Sequence, residues 1–175
     1  MNRIQLIKLS KYFVSSLYCS INRYKMSQDL VRLTKRFSFE MGHALHNYDG
    51  NCRFIHGHSY KLYVTVMGKV KKEVGAVKDG MVIDFSVLKK IVKERIVDVY
   101  DHSLVVSKYD TREFNQPDHS ERIILFESQP TCENLLIRFK EIVQEGLPKE
   151  LSLANIKLYE TEDSYAEWDC LDQKQ

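Results

Sequence analysis

Two stretches in which bulky and polar residues alternate, at positions 30–40 and 60–67, constrain this chain more than any other feature of its sequence. Successive side chains of an extended strand point to opposite faces, so Phe37 and Phe39 share one face of the first stretch and Arg36, Ser38 and Glu40 the other. The second stretch, Tyr60-Lys61-Leu62-Tyr63-Val64-Thr65-Val66-Met67, is rich in β-branched and aromatic residues and reads as a second strand. Residues 68–80 are charged and punctuated by glycine, hence a turn. Asp84 then caps a helix whose apolar stripe runs through Leu88, Ile91, Val92, Ile96 and Val99. Residues 122–126 form a short apolar strand. Thr131 caps a second helix carrying Leu135, Leu136, Phe139, Ile142 and Val143, which Gly146-Leu147-Pro148 stops, and a last strand follows at 153–161. This order implies an α+β fold, an antiparallel four-stranded sheet with two main helices on one face. So small a sheet has open edges, which association of subunits covers.

Charge divides the chain unevenly. Among 175 residues the formal net charge is +2, yet positions 1–25 hold Arg3, Lys8, Lys11, Arg23 and Lys25 and no acid. The remainder carries 21 bases against 24 acids, a net −3, so nothing directs the body of the protein to nucleic acid or to an anionic membrane. Residues 1–26 read as a basic leader, expected to be disordered or loosely attached, and residues 27–175 as a single catalytic domain. Met26 opens a segment at which a cytosolic protein can start, so an upstream start or extension ranks ahead of a transit peptide, and a secretory signal last. The apolar run at 12–18 is far shorter than the roughly 20 residues of a membrane span. Cys19, Cys52, Cys132 and Cys170 show no paired spacing; Cys19, Cys132 and Cys170 read as free thiols, while Cys52 is set apart by its neighbours.

Reactive side chains concentrate at 43–58 within HALHNYDGNCRFIHGHS (43–59), which holds four of the six histidines. His56 and His58 are two apart on a strand, so both imidazoles face one side, the spacing of two ligands to one metal ion. His43, at the end of the neighbouring strand, can add a third nitrogen, with His46 as its rival. Cys52 allows two outcomes. As a fourth ligand it would close a structural zinc site; unligated, it is a thiol that a nearby cation acidifies.

The blocks FSFEMGHAL, CRFIHGHSYKLYVTV, GMVIDFSVLK, Asp101-His102-Ser103-Leu104, PTCENLL and KLYETEDSYAEW, spread over 32–168, resemble the 6-pyruvoyltetrahydropterin synthase family. The three residues between Cys52 and His56 are similar to the spacing of its 6-carboxy-5,6,7,8-tetrahydropterin synthase branch. The resemblance implies a T-fold in which sheets of several subunits join into a barrel, a homo-oligomer built as a hexamer, and an active site between subunits. It implies a cytoplasmic zinc lyase that converts 7,8-dihydroneopterin triphosphate to 6-carboxytetrahydropterin, acetaldehyde and triphosphate, toward queuosine. His43, His56 and His58 match the zinc ligands, Cys52 the general base, Asp101 and His102 a proton relay, Glu160 the acid that anchors the pterin's guanidine-like edge and joins that catalytic relay, and Glu133 a second pterin contact. Val105 stands where the family commonly has asparagine, and the loop at 108–129 is long. The rivals are triphosphate elimination to 6-pyruvoyltetrahydropterin, without aldehyde release, and a non-catalytic zinc-stabilised pterin-binding subunit.

Overall fold

The computed structural model describes residues 29–112, 114 and 122–173; the leader expected at 1–26 lies outside them. Strands β1 (Leu30–Ala44) and β2 (His56–Lys69) form one long antiparallel pair, in register from Leu30 opposite Lys69 to His43 opposite His56. The alternation read from the sequence sets its faces. Phe39 and Met41 of β1 and Tyr60, Leu62, Val64 and Val66 of β2 are buried, while Arg36, Ser38 and Glu40 are exposed on the other side.

Helix α1 (Phe85–Val92) begins where Asp84 accepts a hydrogen bond from the Ser86 amide at 2.8 Å. It continues through a wider π-type turn, Lys93–Val97, into a last turn at Asp98–Tyr100. That turn shifts the buried stripe. The residues facing the core are Leu88, Val92, Ile96 and Tyr100, four apart, whereas Val99, expected on the stripe, is 48% exposed. An α-helix of 3.6 residues per turn drifts off a strict four-residue repeat, and the wider turn takes up the drift.

Strands β3 (Ser103–Ser107) and β4 (Ile123–Phe126), helix α2 (Cys132–Gly146), and strands β5 (Ser152–Tyr159) and β6 (Tyr165–Asp169) complete the described residues. The sheet order is β4-β3-β1-β2-β5-β6. β3 runs parallel to β1 and β4 parallel to β3, while β5 and β6 add antiparallel beyond β2. The sheet is therefore mixed and six-stranded, where four antiparallel strands were expected. Leu104-Val105-Val106 escaped notice because a parallel strand covered on both faces shows a short apolar run rather than alternation. Tyr165–Asp169 alternates too briefly, among too many charges, to stand out.

Both helices pack on the face that carries Phe39 and Tyr60. Thr131 caps α2 by accepting from the Asn134 amide at 3.3 Å, and Leu135, Leu136, Phe139 and Val143 turn inward. Phe139 sits at the centre of this contact, edge-on to Phe39 with ring centroids 5.9 Å apart and to Tyr100 at 4.9 Å. No helix among the described residues is long and apolar enough to cross a membrane. Truncation at the centre of this packing should be costly: Phe139→Ala is expected to lose about 3–5 kcal/mol of stability, read as a lowered urea midpoint with an unchanged m-value.

Candidate active site

The β1–β2 register that buries Phe39 against Tyr60 carries three histidines on the same face, at the end of the pair. His43 lies opposite His56, and His58 follows two residues on. Their ring centroids are 4.5, 5.2 and 5.0 Å apart, and one nitrogen from each falls within 4.8 Å of the others. Outer hydrogen bonds set the tautomers of two of them. Nδ1–H of His43 donates to the Pro130 carbonyl and Nδ1–H of His56 to the Phe54 carbonyl, each at 2.8 Å, which leaves Nε2 as the lone-pair nitrogen. Nε2 of His43 and of His58 are buried and have no hydrogen-bond partner among the described residues. Buried polar atoms are rarely left so, and a metal cation is the kind of partner that such imidazole nitrogens could hold. Burial lowers the pKa of both rings below the ordinary imidazole value, against the opposing pull of Glu160, so the neutral form that a metal requires is favoured.

His46, the rival third ligand, is elsewhere. Its Nδ1 lies 3.5 Å from Asp110 Oδ1, and its backbone N–H and C=O are both held by the Gln129 side chain, at 2.9 and 2.5 Å. Cys52 occupies a single helical turn, Asn51–Arg53, as a half-buried free thiol, and the metal-ligand cluster comprises the three histidines without it. The turn is tied down from two sides. The Leu45 amide donates to the Cys52 carbonyl at 2.9 Å, and Arg112 Nη1 donates to the Arg53 carbonyl at 2.5 Å. Arg112 is itself paired with Asp110, whose carboxylate is 0% exposed and held below the usual range by that guanidinium. Sequence reasoning missed Asp110, Arg112 and Gln129. Nothing in a long polar loop marks these residues as braces until the fold brings them to the histidine-rich segment.

Glu160 follows β5 and turns back toward the trio. Its Oε1 is 3.4 Å from His43 Nε2 and 3.8 Å from His58 Nε2, and it accepts from the Tyr60 hydroxyl at 3.1 Å. Burial and then the Glu160 charge push the Tyr60 phenol far above its usual pKa, so it acts as a donor. Glu133 is exposed in the first turn of α2. Its neighbour Cys132 is an inert thiol, donating to the Leu158 carbonyl at 3.4 Å and pushed by burial up to about 11.

Asp101 and His102 do form a pair, His102 Nδ1 lying 3.0 Å from Asp101 Oδ2. The Glu40 amide donates to Asp101 Oδ1 at 2.8 Å and is the main cause of that carboxyl's lowered pKa. The His102 amide donates back to the Glu40 carbonyl at 2.6 Å, with His102 at φ 58°. The parallel register of Met41 with Ser103 sends Ser103 into the core and leaves His102 outside, 71% exposed. Asp101 and His102 thus sit in the turn just ahead of β3, outside the histidine cluster. His58 and His102 border one shallow groove of about 390 Å³. Gly42 and Gly57 form part of its lining, and a Cβ on Gly57 would meet the Met41 carbonyl at 3.3 Å.

A mixed curled sheet backed by two helices, with imidazoles and a carboxylate gathered at one end, is the architecture of a T-fold protein. The 6-pyruvoyl tetrahydropterin synthase of Caenorhabditis elegans shares it at TM-score 0.59, with 23% identity over 82% of this chain and 98% of that one. That of Plasmodium falciparum does so at 0.61, with 20% identity over 79% and 96%. The family model described as 6-pyruvoyl tetrahydropterin synthase matches residues 32–170, and the chain belongs to this family. The 6-carboxy-5,6,7,8-tetrahydropterin synthase of Haemophilus influenzae is 34% identical over 148 residues, covering 79% of this chain and 99% of its own. That of Rickettsia bellii is 29% identical over 143 residues, with the same coverage.

Equilibrium dialysis against zinc at pH 7 should find about one ion per chain. His43→Ala should weaken binding by roughly 100-fold or more, since even an outer-shell partner is worth 10–100-fold, while His46→Ala should leave it intact. Because burial lowers the pKa of His43 and His58, zinc should be retained below the pH at which ordinary imidazoles release it, and be lost only as the pH drops further and protons compete for the rings.

Proposed function

We propose that this chain is a cytoplasmic, zinc-dependent 6-carboxy-5,6,7,8-tetrahydropterin synthase acting on 7,8-dihydroneopterin triphosphate in the route to queuosine. The observation that carries the proposal is the pair of buried, unpartnered Nε2 atoms of His43 and His58 beside the Glu160 carboxylate. Its support from relatives is the name shared by the bacterial proteins at 34% and 29% identity.

His43, His56 and His58 hold the zinc. When bound, zinc polarises hydroxyl and carbonyl oxygens of the substrate side chain and so acidifies the adjacent C–H. Cys52 receives that proton, and its turn, braced by Arg112 and the Leu45 amide, keeps the thiol in place. Glu160 accepts two N–H donors from the guanidine-like edge of the pterin, with Glu133 as a second contact. Asp101 aligns His102 to carry protons to and from the reacting side chain. Since His102 is exposed and stands outside the histidine cluster, a second copy of the chain supplies the pair to the trio. This suits a homo-oligomer, a hexamer made as a dimer of trimers, joined through the sheet edges at β4 and β6.

Atom balance separates this reaction from its nearest rival. Loss of triphosphate and two tautomerisations give a pterin with a diketone side chain, R–CO–CO–CH₃, the 6-pyruvoyl product. Addition of water across the bond between its carbonyl carbons yields R–COOH and acetaldehyde, the 6-carboxy product. The description of the matching family model favours the rival, which stops at the diketone. A non-catalytic zinc-stabilised subunit would be favoured by Cys52 as fourth ligand, and Cys52 lies outside the histidine cluster.

Zinc-loaded protein incubated with 7,8-dihydroneopterin triphosphate should give 6-carboxytetrahydropterin and acetaldehyde by mass spectrometry; the pyruvoyl compound alone would establish the rival. Cys52→Ala should lower kcat by about 10²–10⁴-fold with zinc content unchanged.

A further inference from the structure

Tyr60 is wholly buried beside the histidine trio, and the chemistry above gives it no task. Its ring stacks on Phe39 at 5.4 Å and turns its edge to His43 at 6.2 Å and to His58 at 5.6 Å. A phenylalanine would make all these contacts. What tyrosine adds is a hydroxyl, and that hydroxyl donates to Glu160 Oε1 at 3.1 Å. The placement follows from the ladder between β2 and β5. Lys61 lies opposite Tyr159, so one further step sets Tyr60 across from Glu160, where the chain leaves β5 for a turn in which the Glu160 amide donates to the Ser164 carbonyl at 3.1 Å.

Glu160 needs such a brace. Its side chain is a quarter exposed and has several rotamers within reach. His43 Nε2, 3.4 Å away, carries a lone pair and so gives Oε1 no hydrogen bond to hold it. Recognition of a planar N–C–N edge requires both carboxylate oxygens to lie in one plane with the donors, so a rotated glutamate loses the match. Each carboxylate oxygen accepts two hydrogen bonds, and Oε1 can therefore keep Tyr60 while both oxygens face a ligand.

We infer that Tyr60 is a positioning residue for pterin binding: its hydroxyl pins Oε1 of Glu160 and so aims the carboxylate at the guanidine-like edge of the ligand. The inference rests on the proposed pterin function and adds to it a residue that acts only through Glu160.

The test uses the zinc-loaded full chain and 7,8-dihydroneopterin, which carries the pterin edge but no triphosphate and so reports binding by fluorescence without elimination. Tyr60→Phe should bind about 10–100-fold more weakly, the range for a lost hydrogen bond to a charged group, with zinc content and melting temperature kept. Glu160→Gln should also bind weakly, and the double variant no more weakly than Glu160→Gln alone. In turnover, Tyr60→Phe should raise KM far more than it lowers kcat. Wild-type affinity in Tyr60→Phe, or losses that simply add in the double variant, would overturn the positioning role alone. No binding by the unaltered chain would overturn the pterin function together with it. Should Tyr60→Phe fail to fold, Glu160→Asp withdraws the carboxylate from the hydroxyl by one methylene; weak binding supports the role and wild-type binding refutes it.

Discussion

The antiparallel register of β1 against β2 is the constraint on which the rest of the structure depends. One alternation governs two things along the same pair of strands. It puts Phe39 and Tyr60 under the helices, and a few residues further on it puts His43, His56 and His58 on the same side. A slip of a single residue would send every side chain of one strand to the other face. The core and the metal-ligand cluster would be lost together, so the apolar packing that makes the pair stable is also what holds three imidazoles in reach of one another.

The cost of gathering polar groups at the end of that pair is met by outer partners. Pro130 ahead of α2 and Phe54 ahead of β2 take the Nδ1 protons of His43 and His56, and Tyr60 takes one lone pair of Glu160. Each partner comes from a different element, so the site is a convergence of β1, β2, the approach to α2 and the end of β5. The Cys52 turn is held by another set: Leu45 from below, Arg112 with its buried Asp110 from the loop after β3, and Gln129 through His46. A rigid outer shell of this kind is what fixes reactive groups to within fractions of an ångström.

Much of this arrangement is legible in the sequence, and the illegible part has physical causes. His-Gly-His on a strand announces its geometry because a strand has a period of two, and Asp84 and Thr131 announce helix starts because their side chains accept from amides two or three residues on. β3 is hidden by burial on both faces, which erases alternation. Tyr100 in place of Val99 on the buried stripe comes from a wide helical turn that no residue type advertises. His43 rather than His46 joins the cluster because β1 runs on to Ala44 and breaks only after it, so His46 leaves with the loop toward Asp110. Asp101 and His102 are adjacent in sequence and do touch, yet only the fold shows that they sit in an exposed turn ahead of β3, tied to the Glu40 backbone.

Under the proposed function three imidazoles would hold a zinc ion with a position left for substrate, and Cys52 would stay unligated. X-ray absorption at the zinc edge tests this most directly, because nitrogen and oxygen ligands lie at about 2.0–2.1 Å and thiolate sulfur at about 2.3 Å. The expected ligand set is three imidazole nitrogens and one light oxygen atom, with no sulfur. A sulfur scatterer at about 2.3 Å that disappears in Cys52→Ser would contradict it, for the site would then be closed and structural.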